Sequence, residues 1–134
     1  MLNQNIMAVN QAPRVLIVED EPLIGFMLEE VLLDAGFEIA GQATKLEPAL
    51  AIIASGACDI AILDANLAGE SSAPAAAALT ARGVPFVVLS GYNVDQRKEA
   101  FAGALSLKKP IRPEKLVDTL RSILPSQQLC APDH

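Results

Sequence analysis

Short apolar runs alternate along this chain with longer segments whose apolar residues recur every three or four positions. Arg14-Val15-Leu16-Ile17-Val18 is a β-branched run, which predicts a buried strand. Pro22 then opens a segment in which Ile24, Met27, Leu28, Val31, Leu32 and Ala35 recur at helical spacing, and Gly36 ends it. Phe37 to Gln42 reads as a second strand, with Phe37, Ile39 and Gly41 alternating. A second helix follows from Leu46 to Ala54, stopped by Gly56. The apolar stretch Asp59-Ile60-Ala61-Ile62-Leu63-Asp64 is a third strand, buried on both faces and ending in a carboxylate. A loop of small and polar residues, Ala65 to Gly69, comes next. The alanine-rich segment up to Arg82 predicts a helix that starts near Pro74.

Val84 to Leu89 predicts a fourth strand, with Ser90-Gly91-Tyr92 as the loop beyond its end. Val94 to Ala102 reads as a short, mostly polar helix, and Ala104 to Leu107 as a fifth strand ended by Lys108-Lys109-Pro110. Pro113 opens a last helix carrying Leu116, Val117, Leu120, Ile123 and Leu124. Five strand–helix alternations predict a doubly wound parallel sheet with helices on both faces and right-handed crossovers. The segmentation is an N-terminal extension over residues 1–13, one domain over 14–124, and a tail over 125–134.

Composition narrows the functional classes. The chain has 134 residues, the size of one domain, and half of them are apolar. Its net charge of −6 argues against nucleic acid as a direct partner, because phosphate backbones demand a basic face. No apolar run reaches the roughly 20 residues of a membrane span, and no secretory signal is evident. Cys58 and Cys130 lack metal-ligand spacing, so reduced thiols in a cytoplasmic protein are the simple reading. His134 is the lone histidine and the last residue, which makes histidine chemistry a poor candidate.

The chemistry gathers at the strand ends. Glu19 and Asp20 follow the first strand, Asp64 ends the third, Ser90 follows the fourth and Lys109 the fifth. In a parallel sheet these ends share one edge, and in a five-stranded sheet of order 2-1-3-4-5 the first and third strands are neighbours. Three crowded carboxylates call for a cation, and Mg²⁺ takes carboxylates together with phosphate oxygens. A lysine and a serine beside Asp64 suit transfer of a phosphoryl group onto that carboxylate. Each of these residues alone has a plain structural role, as a turn serine, a solvated lysine or a helix-capping acid. It is their conjunction that points to a site.

Those residues also carry a resemblance. Val15-Leu16-Ile17-Val18-Glu19-Asp20-Glu21-Pro22, Leu63-Asp64-Ala65-Asn66-Leu67-Ala68-Gly69, Val88-Leu89-Ser90-Gly91-Tyr92 and Lys109-Pro110 resemble the signatures of the response-regulator receiver domain, over Arg14 to Leu124. The resemblance implies a flavodoxin-like (βα)5 fold and a phosphoacceptor at Asp64. It implies Mg²⁺ or Mn²⁺ held by Glu19, Asp20, Asp64 and the main-chain carbonyl of Asn66. It implies a switch hydroxyl at Ser90, a phosphoryl-binding Lys109, and a cis bond between Lys109 and Pro110. Asn66 and Tyr92 stand where family members tune the lifetime of the phosphate, Tyr92 as a shield against water.

The implied phosphodonor is a histidine kinase or a histidine phosphotransfer protein. The implied downstream contact surface is the fourth helix, fifth strand and fifth helix. Where many receivers carry an aromatic switch residue, this chain has Ser106. Ser90-Gly91-Tyr92 together with that absence is similar to the alphaproteobacterial "FAT GUY" receivers, which are often stand-alone and served by kinases of the HWE or related type. With no output domain expected after Leu124, the chain reads as a single-domain regulator with no enzymatic turnover of a separate substrate. A phosphatase working through an aspartyl phosphate, a nucleotide-binding module of the same architecture and a degenerate binding-only receiver remain the alternatives.

Overall fold

A computed structural model describes residues 12–67, 69–91 and 105–124. The apolar runs form strands β1 (Arg14–Val18), β2 (Glu38–Ala43), β3 (Ile60–Asp64), β6 (Phe86–Ser90) and β7 (Leu105–Lys108). Two-residue strands β4 (Asn66–Leu67) and β5 (Glu70–Ser71) make a small separate ribbon. The helices are α1 (Pro22–Asp34), α2 (Leu46–Ser55), α3 (Ala73–Ala81) and α4 (Pro113–Ile123). The five long strands form one parallel sheet in the order β2-β1-β3-β6-β7. The expected doubly wound sheet is therefore present, with the ribbon added after β3. The helix expected over 94–102 lies outside the described residues, as does Tyr92, so four helices are seen among those described. None of these helices is long and apolar enough to cross a membrane.

Alternation along the buried strands splits the core in two. Val15, Ile17, Ile60, Ile62, Val87 and Leu89 face α1 and α4, where Leu28, Leu32, Leu116 and Leu120 meet them. Leu16, Val18, Ala61, Leu63 and Val88 face α2 and α3, packing on Ala49, Ile53, Ala75 and Leu79. Cys58 is a free, buried thiol in this second core, and Cys130 lies outside the described residues. Every residue of β3 is buried, as its continuous apolar run predicts.

The helix limits follow local chemistry. Pro22 opens α1 after an extended Glu21, and Gly36 stops it at a φ of +96°. Met27, which belongs to the apolar spacing of α1, is 44% exposed; Gly25 joins Leu28 and Leu32 on the buried face. A Cβ on Gly25 would stand 2.7 Å from the Gln42 Oε1 atom, so glycine lets α1 lie close to β2.

Three boundaries differ from the pattern-based expectation. The pairing of β1 with β2 jumps from Val15–Ile39 to Leu16–Gly41, so Ala40 is an extra residue that breaks the alternation expected there. Val84 and Pro85 precede β6 because the Val84 N–H returns to the Leu79 carbonyl at the end of α3 (2.9 Å). Ser90, expected in the loop, is the last residue of β6, because β7 pairs alongside it as far as Ser90–Lys108.

Candidate functional site

The carboxyl edge of the sheet brings together Glu19, Asp20, Asp64 and Lys109. Glu19 follows β1 directly, and its N–H donates to the Ala43 carbonyl of β2 (3.0 Å), which extends the ladder by one residue and turns its side chain inward. Asp64 ends β3 next door. Carboxylate oxygens of Glu19, Asp20 and Asp64 all lie within 4.8 Å of one another. Glu19 and Asp64 are buried and Asp20 is half-buried. Lys109 reaches in from the end of β7. Its Nζ lies 3.0 Å from the Asp64 Oδ2 atom, where it donates a hydrogen bond, and 3.5 Å from the Glu19 Oε1 atom.

Main-chain bonds hold these groups in place. The Lys109 N–H donates to the Ser90 carbonyl (2.9 Å), and the Lys109–Pro110 peptide is cis. Ser90 is buried beside this turn. The Asn66 N–H donates to the Asp64 Oδ1 atom (3.2 Å), while its exposed side chain accepts from the Gly69 N–H (2.6 Å). The Glu21 N–H donates to the Glu19 Oε2 atom (3.2 Å).

The electrostatics are one-sided. Burial, then the neighbouring Asp64 charge, pushes the Glu19 carboxyl up to about 8, although Lys109 and the Glu21 N–H pull the other way. Burial acts to lower the Lys109 ammonium, but Asp64 and Glu19 outweigh it and hold it above its ordinary value. Three carboxylates thus face one ammonium. The Glu19 Oε1 atom is buried with no hydrogen-bond partner, and the lysine at 3.5 Å supplies only a longer-range charge. A donor set made of oxygens, carrying excess negative charge and an unsatisfied buried lone pair, fits a hard divalent cation.

Ser72 was not evident from the sequence. It is fully buried at the start of α3, and its hydroxyl donates to the main-chain carbonyl of Asp64 (2.6 Å). A serine before a helix ordinarily reads as a cap, and nothing in its spacing separates the two roles.

Residues 15–121 match the family model for the response regulator receiver domain. The chain belongs to this family. SdrG from Sphingomonas melonis Fr1, known from a solution structure, is 38% identical, with a TM-score of 0.74, over 84% of this chain and 97% of that one. The chemotaxis protein CheY4 of Vibrio cholerae is 28% identical with a TM-score of 0.74, over 84% and 99%. The transcriptional regulatory protein PdtaR of Mycobacterium tuberculosis is 29% identical over 111 residues, 82% of this chain and 54% of that protein. This receiver domain spans about half the length of the curated relatives it matches. Receiver domains are signalling modules of two-component systems that interact with histidine kinases or phosphotransfer proteins and with downstream partners.

Proposed function

We propose that this receiver domain accepts a phosphoryl group onto Asp64 from a phosphohistidine of a histidine kinase or a histidine phosphotransfer protein. An Asp64 carboxylate oxygen attacks phosphorus, and the new P–O bond forms as the P–N bond breaks. The electron pair leaves with the imidazole nitrogen, and the ring departs neutral when its other nitrogen carries a proton. Lys109 presents its ammonium to the incoming phosphoryl oxygens, and Ser90 supplies a hydroxyl hydrogen bond to them. Glu19, Asp20, Asp64 and the Asn66 carbonyl would hold Mg²⁺ or Mn²⁺, which when bound neutralises charge on the phosphoryl oxygens. Tyr92, outside the described residues, enters by sequence position alone as a shield of the aspartyl phosphate.

The observation that carries this reading is a buried carboxylate at a strand end with an ammonium 3.0 Å away and two further carboxylates within 4.8 Å. The test is incubation with acetyl phosphate and Mg²⁺, followed by intact mass. Wild type gains one phosphoryl mass, and Asp64→Asn gains none. Equal labelling of both proteins overturns the assignment.

The signal leaves through protein contact or phosphoryl flow, because a net charge of −6 argues against nucleic acid as the partner. We place the downstream partner on residues 94–102 with β7 and α4, where Leu105 is 47% exposed. A cytoplasmic regulator of the FAT GUY type, served by an HWE-type kinase, is the form of the proposal that accommodates serine at 106. Ser106 pairs with Val88 and is exposed on the edge strand.

A further inference from the structure

Asp64 to Leu67 and Gly69 to Ser72 are the two arms of a hairpin closed at its base. The Ser72 N–H donates to the Ala65 carbonyl (3.2 Å), Asn66 pairs with Ser71, Leu67 pairs with Glu70, and Gly69 turns at a φ of +91°. The last clasp is the Ser72 hydroxyl on the Asp64 carbonyl. The pairing of β3 with β1 ends at Val18–Leu63, so Asp64 lies one residue beyond that ladder.

Ser72 also forgoes the role its position suggests. It is the N-cap residue of α3, yet its side chain makes no capping bond to that helix. Its carbonyl accepts from the Ala75 and Ala76 N–H groups, while the neighbouring Ser71 hydroxyl accepts from the Ala73 N–H (3.1 Å). The Ser72 hydroxyl, fully buried, is spent on the backbone of Asp64 alone.

We propose that Ser72 is a positioning residue for the acid site. It fixes the Asp64 carbonyl, and through it the Ala65–Asn66 main chain, so that the Asp64 carboxylate and the Asn66 carbonyl are presented together. This rests on the reading of Asp64 as phosphoacceptor. Ser72 touches no reacting atom; it sets the direction of the groups that do. Supporting bonds of this kind typically govern metal affinity or activity by 10–100-fold.

The test compares wild type, Ser72→Ala, Ser72→Cys and Ser71→Ala, each checked for folding by urea denaturation. Mg²⁺ affinity is measured by amide shift titration, and labelling by acetyl phosphate at saturating Mg²⁺. Ser72→Ala should weaken Mg²⁺ binding about tenfold and slow labelling about as much. Ser71→Ala, which disturbs only the start of α3, should leave both near wild type. Ser72→Cys, similar in volume with a weak donor, should fall between, and it replaces Ser72→Ala if that variant does not fold. Wild-type affinity and labelling in Ser72→Ala, or in Ser72→Cys standing in for it, overturn the proposal. So does an equal loss in Ser71→Ala. If Asp64→Asn still takes the phosphoryl group, the parent reading fails, while the Mg²⁺ arm still decides the role of Ser72.

Discussion

Glu19 should make the metal-free protein lose stability as the pH rises. Its carboxyl is buried beside Asp64 and is pushed up to about 8, against 4.5 for a free glutamate. A raised carboxyl binds its proton more tightly in the folded state. Its stabilising contribution is full below about 4.5 and disappears as the pH climbs through about 8. Each pH unit between those limits is worth at most about 1.4 kcal/mol. With both ends of the titration tapering, the fall from pH 5 to pH 8 comes to about 3 kcal/mol. Glu19→Gln keeps the shape and removes the titration, so its profile should be flatter by that amount. The chain has no tryptophan and one tyrosine, so urea denaturation is best followed by far-UV circular dichroism, in EDTA, at pH 5, 6, 7 and 8. The expected divergence corresponds to roughly 1–3 M urea in midpoint. Wild-type and Glu19→Gln profiles that run parallel within about 0.5 kcal/mol would refute the reasoning.

Two further predictions concern the frame around the site. Arg14→Ala breaks a two-pronged ion pair with Asp59 (3.0 and 3.1 Å) on the partly exposed amino edge of the sheet, and should cost about 1 kcal/mol by urea denaturation. Arg14 holds the Asp59 carboxyl below its ordinary value despite burial, so the wild-type advantage should persist above pH 4 and fade as the pH falls further. Gly56→Ala forces an L-residue to a φ of +78° at the end of α2 and should lower stability by about 1 kcal/mol, read from the thermal midpoint.

Much of this molecule is written in its apolar runs. Ile60 to Leu63 is apolar without a break because both of its faces are covered, and that feature alone predicts a central parallel strand. Glu19, Asp20, Asp64 and Lys109 were legible because parallel topology sends all strand ends to one edge. What escaped is what depends on pairing partners. Ser90 belongs to β6 because β7 runs alongside it, which a reading of Val84 to Leu89 alone does not reveal. Two-residue strands have no periodicity to detect, so Asn66 to Ser71 looks like plain loop. Ala40 breaks the alternation of β2 only because the register with β1 shifts beside it. Ser72 hid for a different reason: its partner is a carbonyl eight residues back, and backbone acceptors carry no sequence signature.

The clasp between Arg14 and Asp59 bears on how the domain can change shape. Asp59 lies just before β3, where its N–H also donates to the Arg14 carbonyl (2.8 Å), and Asp64 lies at the far end, gripped by Lys109 and Ser72. Between them run four residues, Ile60 to Leu63, walled in on both sides. A strand tethered at both tips and wedged along its length cannot slide like a piston. It serves as an anvil: a load at its Asp64 end meets an unyielding base and falls on Lys109 and Ser72, the two residues that grip it there.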